Sequence, residues 1–410
     1  MMKRSYRYFI PVVTLLIACI SALSPFATDT FLSAMPAMAE YFGVKINMIE
    51  FAITFYFIGF AVGQFFGGPL SDSFGRKRMA TIGLFIYGIS VVGIPWCKSI
   101  EMVWALRILQ AIGGGFASVT NMAYIRDWFE GKQFARLASI LTMVMMLAPL
   151  VAPLIGGLLM KDNNWGLIFF FMATVALTVL ILVLLILPES KKREELSYSL
   201  TRKQLLGKYK LILASKPTVF LVLSLGFSMA AMFAFITTSS FIYLEYFHVE
   251  SSDFFVFFAS GVTANIVLTI ANTILLKYFE IRSILLSGLY LQLTAATILL
   301  VVSLLSLPPF VLVFSMLVII VGSLGLIFSN GTALVLDTFP QIGGAANAVV
   351  GVVRFTISSI VCSLISYFHT TNLIPIGIGI FFTVLVSNLL FRLSNRSKIK
   401  QMDKIIEIKI

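Results

Sequence analysis

Charge is scarce in this chain. Asp, Glu, Lys and Arg make up 12% of its 410 residues, against about 25% in an ordinary soluble domain. With 59% of residues hydrophobic, too little polar surface is left to cover a water-soluble globule of this size. Histidine occurs only at His248 and His369, and cysteine only at Cys19, Cys97 and Cys362. Their scatter excludes a His or Cys metal site and a disulfide framework. The chain has neither a nucleophile constellation nor a Walker-type phosphate loop. An enzyme is therefore the least expected class, no cofactor is expected, and ATP is not the energy source.

What the chain has instead is long apolar runs. A membrane-spanning helix takes about 20 mostly apolar residues. Twelve such runs lie at 9–31, 49–70, 79–97, 102–124, 138–160, 166–187, 217–242, 253–276, 283–305, 309–333, 345–368 and 373–393. The basic start Lys3-Arg4-Ser5-Tyr6-Arg7 followed by an apolar run has the look of a signal peptide. The run is long and shows no convincing cleavage site, so it reads as a first transmembrane helix that is retained. The longest polar interruption, 188–216, splits the runs six and six. The expected organisation is an N-terminal six-helix bundle over 1–187, a cytoplasmic linker over 188–216, a C-terminal bundle over 217–393 and a cytoplasmic tail over 394–410.

Orientation follows from the basic residues. With both termini and the even-numbered gaps in the cytoplasm, all but five of the 30 Lys and Arg fall on the cytoplasmic side. The exceptions are Lys45, Lys98 and Lys161 opposite, and Arg107 and Arg354 inside spans. That bias marks the cytoplasmic face. It also accounts for the net charge of +12 without nucleic-acid binding. Two bundles joined by a basic loop fit a transporter that rocks about a midplane site.

Ionised groups deep in a membrane are costly, about 2.5–3.5 kcal/mol each on insertion scales. Of the 18 acidic residues, only Asp29 falls well inside a span. Glu50 and Asp253 start spans, Glu245 follows one, and Asp337 lies just past another. Asp29 shares its helix face with Phe26 and Ser33. Desolvation disfavours a carboxylate, which suits such a group to taking a proton on one side and losing it on the other. The alternative is an Asp capping a broken helix near the periplasmic face. Arg107 has Gln110 on its face, with Gly113, Gly114 and Gly115 just beyond. Arginine keeps its proton, so Arg107 reads as a fixed charge acting on a titrating partner, or as a side chain snorkelling to the interface.

Two further stretches stand out. Between the second and third spans runs Gly67-Gly68-Pro69-Leu70-Ser71-Asp72-Ser73-Phe74-Gly75-Arg76-Lys77-Arg78. Its small residues permit a short loop, and Asp72 with the basic cluster can form ion pairs at helix ends, as an ordinary cytoplasmic turn also would. The fifth span carries Pro149 and Pro153, then Gly156 and Gly157. Prolines bend a helix and glycines let a neighbour approach closely. Prolines also occur in static membrane helices.

Together these residues resemble a known family. Gly68-Pro69-Leu70-Ser71-Asp72-x-Phe74-Gly75-Arg76-Lys77 is similar to the signature loop of the major facilitator superfamily. Leu106-Arg107-x-Leu109-Gln110-x-x-Gly113-Gly114 resembles its fourth-helix motif, and the Pro/Gly run of the fifth span resembles its antiporter motif. Asp29-Thr30-Phe31-Leu32-x-Ala34-Met35-Pro36, Ile125-Arg126-Asp127, Gly325–Leu334 and Gly343–Ala348 resemble the Bcr/CflA subgroup of drug:proton antiporters. The similarity runs from about residue 10 to 395. It implies an all-α fold of twelve transmembrane helices in two six-helix bundles. It also implies that Asp29 is the protonation and substrate-coupling carboxyl, that Arg107 lies near the translocation path, and that Asp72 and Arg76, with Gly68, Gly75 and Lys77, hold the cytoplasmic side closed. The chain departs from the pattern at Ser73, where Arg is usual, at Gly166 after Trp165, where Arg is usual, and at Arg354, where a neutral residue is common.

An aromatic and polar cavity is expected, with Phe26, Asp29, Tyr56, Gln64, Gln110, Tyr124, Phe235, Tyr243 and Arg354 as substrate-binding candidates. The expected function is proton-coupled export of a small amphipathic compound by a monomer in the bacterial inner membrane. The alternatives are export of an anionic metabolite or siderophore, proton symport or uniport of a nutrient, and a receptor without transport.

Overall fold

The structure is a computed structural model that describes residues 2–128, 131–160, 164–190, 209–250, 253–339, 343–368 and 372–409. Among them, eleven helices are long and apolar enough to cross a membrane, and a shorter apolar stretch runs over Leu147–Leu159. The chain divides into two compact units, Met1–Leu200 with Val249–Phe255 and Thr201–His248 with Val256–Ile410.

Among the described residues the first unit holds α1 (Met2–Asp29), α2 (Met35–Phe42), α3 (Ile46–Phe74), α4 (Arg76–Gly93), α5 (Ile100–Trp128), α6 (Gly131–Leu159) and α7 (Gly166–Ile186). The first span is longer than the apolar pattern indicates. After Asp29 the backbone tightens into a 3-10 turn over Phe31–Ala34 and then resumes as α2. Proline removes a donor inside a helix but is tolerated in a first turn, and Pro36 occupies the first turn of α2. The whole span thus covers Val12–Phe42, with Asp29 in its interior. Gly43 closes α2 in the left-handed conformation at φ 64° and bonds back to Ala39 and Glu40.

α5 packs between α3 and α4, and α1 lies against α5, α6 and α7. Glycines set the spacing. A Cβ on Gly113 would stand 2.6 Å from the backbone nitrogen of Tyr87, and one on Gly115 2.9 Å from that of Gln64. Only glycine lets three backbones come so close. Glu50, which the apolar pattern sets at the start of a span, is fully buried in the second turn of α3. The helix begins three residues earlier than the apolar run.

The second unit holds α8 (Lys216–Ser240), α9 (Phe254–Leu275), α10 (Ile281–Ser303), α11 (Phe310–Thr338), α12 (Gly343–Phe368) and α13 (Ile374–Lys409). α8 packs against α11, α12 and α13. It ends in a π-helical turn over Phe241–Tyr246. Buried polar pairs knit the helices. Ser224 and Ser387 exchange bonds between α8 and α13, Gln292 on α10 is held by Ser228 of α8 at 2.7 Å, and Asn330 on α11 donates to Asn272 of α9 at 2.7 Å. Most of the linker, 191–208, lies outside the described residues. Its end does not: residues 209–214 are helical, and Ile212 packs in the core of the second unit with Leu221, Leu225 and Phe391. α13 runs on to Lys409, well past the apolar run that ends at 393.

Candidate functional site

Asp29 is the last residue of α1 and is 2% exposed. Its carboxylate accepts one hydrogen bond, from Thr28 Oγ1 at 2.8 Å. The following 3-10 turn has no side-chain cap, so Asp29 does not act as a helix cap. The break simply ends the α-helix at a buried carboxyl.

Arg107, seven residues after the start of α5, is fully buried beside it. One terminal nitrogen, Nη2, donates to the carbonyl of Ala27 at 2.9 Å, and the other, Nη1, donates to Gln110 Oε1 at 3.0 Å. Its guanidinium lies over the Phe31 ring at 4.4 Å and the Tyr56 ring at 5.0 Å. Arg107 therefore grips the chain two residues before and two residues after Asp29. Among the described residues no ion pair joins the two charges. Full burial rules out snorkelling.

Tyrosines complete this cluster. Tyr56 of α3 donates to Ser24 Oγ at 3.3 Å, and Tyr87 of α4 donates to the carbonyl of Leu23 at 3.2 Å. Tyr56, Phe60 and Gln64 recur every fourth residue on one face of α3, with the first two rings stacked 6.0 Å apart. Phe26 packs beside Phe171 at 6.5 Å. Tyr87 and Ser24 escape a sequence reading, because one Tyr or Ser in an apolar run has nothing to distinguish it from packing.

The fifth-span motif meets the same place from another side. A Cβ on Gly156 of α6 would stand 2.7 Å from the carbonyl of Thr30 and 2.8 Å from Ser33 Oγ. Gly156 thus seats α6 on the break that follows Asp29. Pro153 is buried in the same helix, and Pro149 and Gly157 are half-buried.

A second cluster gathers at the α3–α4 loop. Gly75 has φ 103°, a conformation that favours glycine. Glu189, just past α7, accepts from the backbone nitrogen of Arg76 at 2.8 Å and of Lys77 at 3.2 Å. It caps the open N-terminus of α4, where unpaired N–H groups and the helix dipole favour an anion. Arg76 pairs with Asp127 at the end of α5 at 3.2 Å and donates to Ser71 Oγ at 2.6 Å. Ser71 in turn donates to the carbonyl of Gly68 at 2.8 Å. Ser190 also donates to Asp127, at 2.8 Å. The side chain of Asp72 lies outside the described residues. Tyr124 belongs to this cluster: its hydroxyl donates to the carbonyl of Pro188, about 25 Å along α5 from Arg107 at about 1.5 Å per residue. Glu189 was hidden in sequence, where it reads as the first charge of a polar linker.

In the second unit Phe235 and Tyr243 are 2% and 1% exposed. Their rings lie 6.2 Å apart and pack with Phe257, Phe258 and Phe310. Arg354 of α12 is half-buried, between Phe355 at 4.5 Å and Phe328 at 5.1 Å.

Long apolar helices with a buried Asp–Arg cluster define a multi-pass membrane protein of the transporter class. The sequence profile described as Major Facilitator Superfamily matches residues 17–366, and the chain belongs to that superfamily. It is 30% identical to the bicyclomycin resistance protein homolog of Haemophilus influenzae over 89% of this chain and 91% of that one. It is 25% identical to the multidrug resistance protein MdtL of Escherichia fergusonii over 82% of this chain and 84% of that one. Among solved structures, a D-xylose-proton symporter superposes with a TM-score of 0.72 at 17% identity, covering 92% of this chain and 97% of that one. That last likeness concerns the fold.

Proposed function

We propose that the chain exports small amphipathic compounds from the bacterial cytoplasm in exchange for protons, by alternating access of two six-helix bundles. In this reading α6 supplies the twelfth span, both termini are cytoplasmic and the working unit is a monomer. The observation that carries it is Asp29: a buried carboxyl that, among the described residues, accepts a hydrogen bond from Thr28 alone and pairs with no cation, in a span interior whose chain Arg107 holds on both sides of it.

Asp29 in its ionised form receives the compound from the inside. A proton arriving from the outside neutralises it and releases the compound. Loss of that proton to the cytoplasm resets the carrier. Arg107 holds the Asp29 segment in place and keeps its own charge throughout. The relatives named for bicyclomycin resistance and multidrug resistance support the exporting direction.

The test is compound-driven proton movement in energised inverted vesicles, across bicyclomycin, chloramphenicol, lipophilic cations and anionic amphipaths. Proton release on adding a compound, abolished in Asp29→Asn, is the expected result. Coupling that survives intact in Asp29→Asn sinks the assignment, and proton movement of opposite sign would make the protein an importer.

A further inference from the structure

Two arginines lie in the interiors of membrane spans, and they differ in what they touch. Arg107 places both terminal nitrogen atoms on acceptors of its own unit. Arg354 places none. Among the described residues no carboxylate, amide or carbonyl accepts a hydrogen bond from its guanidinium; its Nε is buried without a partner, as that of Arg107 is, but here no terminal nitrogen is bonded either. Arg354 stands eleven residues from Gly343 and fourteen from Phe368 in α12, too far from either end to reach the interface readily. A fixed, unpaired cation at that depth is costly and needs a compensating anion.

The surroundings are arranged for one. Phe355 and Phe328 place their rings 4.5 Å and 5.1 Å from the guanidinium carbon, and Phe233 extends the aromatic wall at 5.4 Å from Phe355. A planar guanidinium presents parallel N–H groups that fit a carboxylate or phosphate two-pronged. Thr332, one turn along α11 from Phe328 on the same face, has a buried hydroxyl without a partner. Ring faces beside a free cation match a molecule with an apolar body and an anionic end.

We propose that Arg354 binds the anionic group of the transported solute, so that the protein takes amphipathic carboxylates or phosphates in preference to their neutral counterparts. The transport role rests on the exporter reading above; the binding preference does not. The same anionic chemistry is carried by phospholipid headgroups, so the test must separate the two sources.

The probes are 1-naphthylacetate and neutral 1-naphthylacetamide, titrated against the full chain in phosphatidylcholine nanodiscs and in nanodiscs containing phosphatidylglycerol. The unmodified protein is expected to bind the acid about tenfold more tightly than the amide, and Arg354→Gln to bring the two within about twofold, since a site built for a charged partner rejects the analogue lacking it. Arg354→Lys, which keeps the charge and loses the fork, is expected to retain a reduced preference. Equal binding by the unmodified protein overturns the proposal, as does a preference undiminished in both variants. A preference that disappears when phosphatidylglycerol is present assigns the site to a headgroup and overturns the solute assignment. Absence of proton movement alongside an intact acid preference would fail the exporter reading and leave the anion site standing.

Discussion

Arg107 ties α5 to the chain on both sides of Asp29. Removing it in Arg107→Ala leaves the Ala27 carbonyl and Gln110 without their donor. Unsatisfied buried groups cost about 1–3 kcal/mol each, so a clear drop in the thermal unfolding midpoint of the detergent-solubilised protein is expected. Arg107→Lys should recover only part of it, because an ammonium cannot reach both acceptors at once. An unchanged midpoint in Arg107→Ala would show that the grip contributes nothing. At this scale charge was the legible signal. Asp29 and Arg107 stand out in sequence because a bilayer makes each of them costly, and Gln110 follows from helical spacing. Tyr124 shows where that logic ends. It is aromatic and polar like Tyr56 and closes the apolar run 102–124, but only the fold reveals that its hydroxyl fastens Pro188 in the loop cluster.

Among the elements, the contact between α6 and the break after Asp29 carries the sharpest expectation. In Gly156→Ala the new methyl would meet the Thr30 carbonyl at 2.7 Å, and backbone cannot step aside as a side chain can. Overpacking of this kind costs about 1–3 kcal/mol. The variant should lose stability and slow compound-driven proton movement together, as read by unfolding and vesicle assays; the unmodified behaviour in both would show that the seat is loose. The cap on α4 gives a second expectation. Glu189→Ala removes the acceptor of two N-terminal amides, a loss of about 1 kcal/mol for a helix cap. The Arg76 and Lys77 amides should exchange hydrogen faster while those in the middle of α4 do not change, and uniform protection would refute the capping role. The prolines and glycines of α6 were legible as a motif. Their target, Thr30 and Ser33, was not, because more than a hundred residues separate the two in sequence. The length of the first span was hidden for a local reason. Pro36 reads as a helix end, whereas here it opens a fresh helix after a single tight turn.

For the whole molecule, the placing of eleven of the twelve expected spans was legible, since a run of about 20 apolar residues has few other uses; the run at 138–160 corresponds, among the described residues, only to the shorter apolar stretch Leu147–Leu159. The division into two units is not visible in composition beyond the polar stretch between them, and the packing of Ile212 into the second core depends on its one apolar face in a basic segment. Orientation rests on the lysines and arginines and is open to a direct check. Ser397→Cys in the tail should react with a membrane-impermeant maleimide in inverted vesicles only, and Lys98→Cys in intact cells only; the reverse pattern would invert the topology.

The end of α7 has a mechanical meaning. The chain passes through Pro188, Glu189 and Ser190 on its way out of the first unit, and each of the three is fastened there. Pro188 is held by Tyr124 of α5, Glu189 by the first amides of α4, and Ser190 by Asp127. A tug on the outgoing segment is therefore not absorbed by α7 alone. It is delivered as load to the ends of two other helices, one of which, α5, carries Arg107 toward its opposite end. The exit point is rigged like a guy-line anchorage, with three stakes sharing one rope.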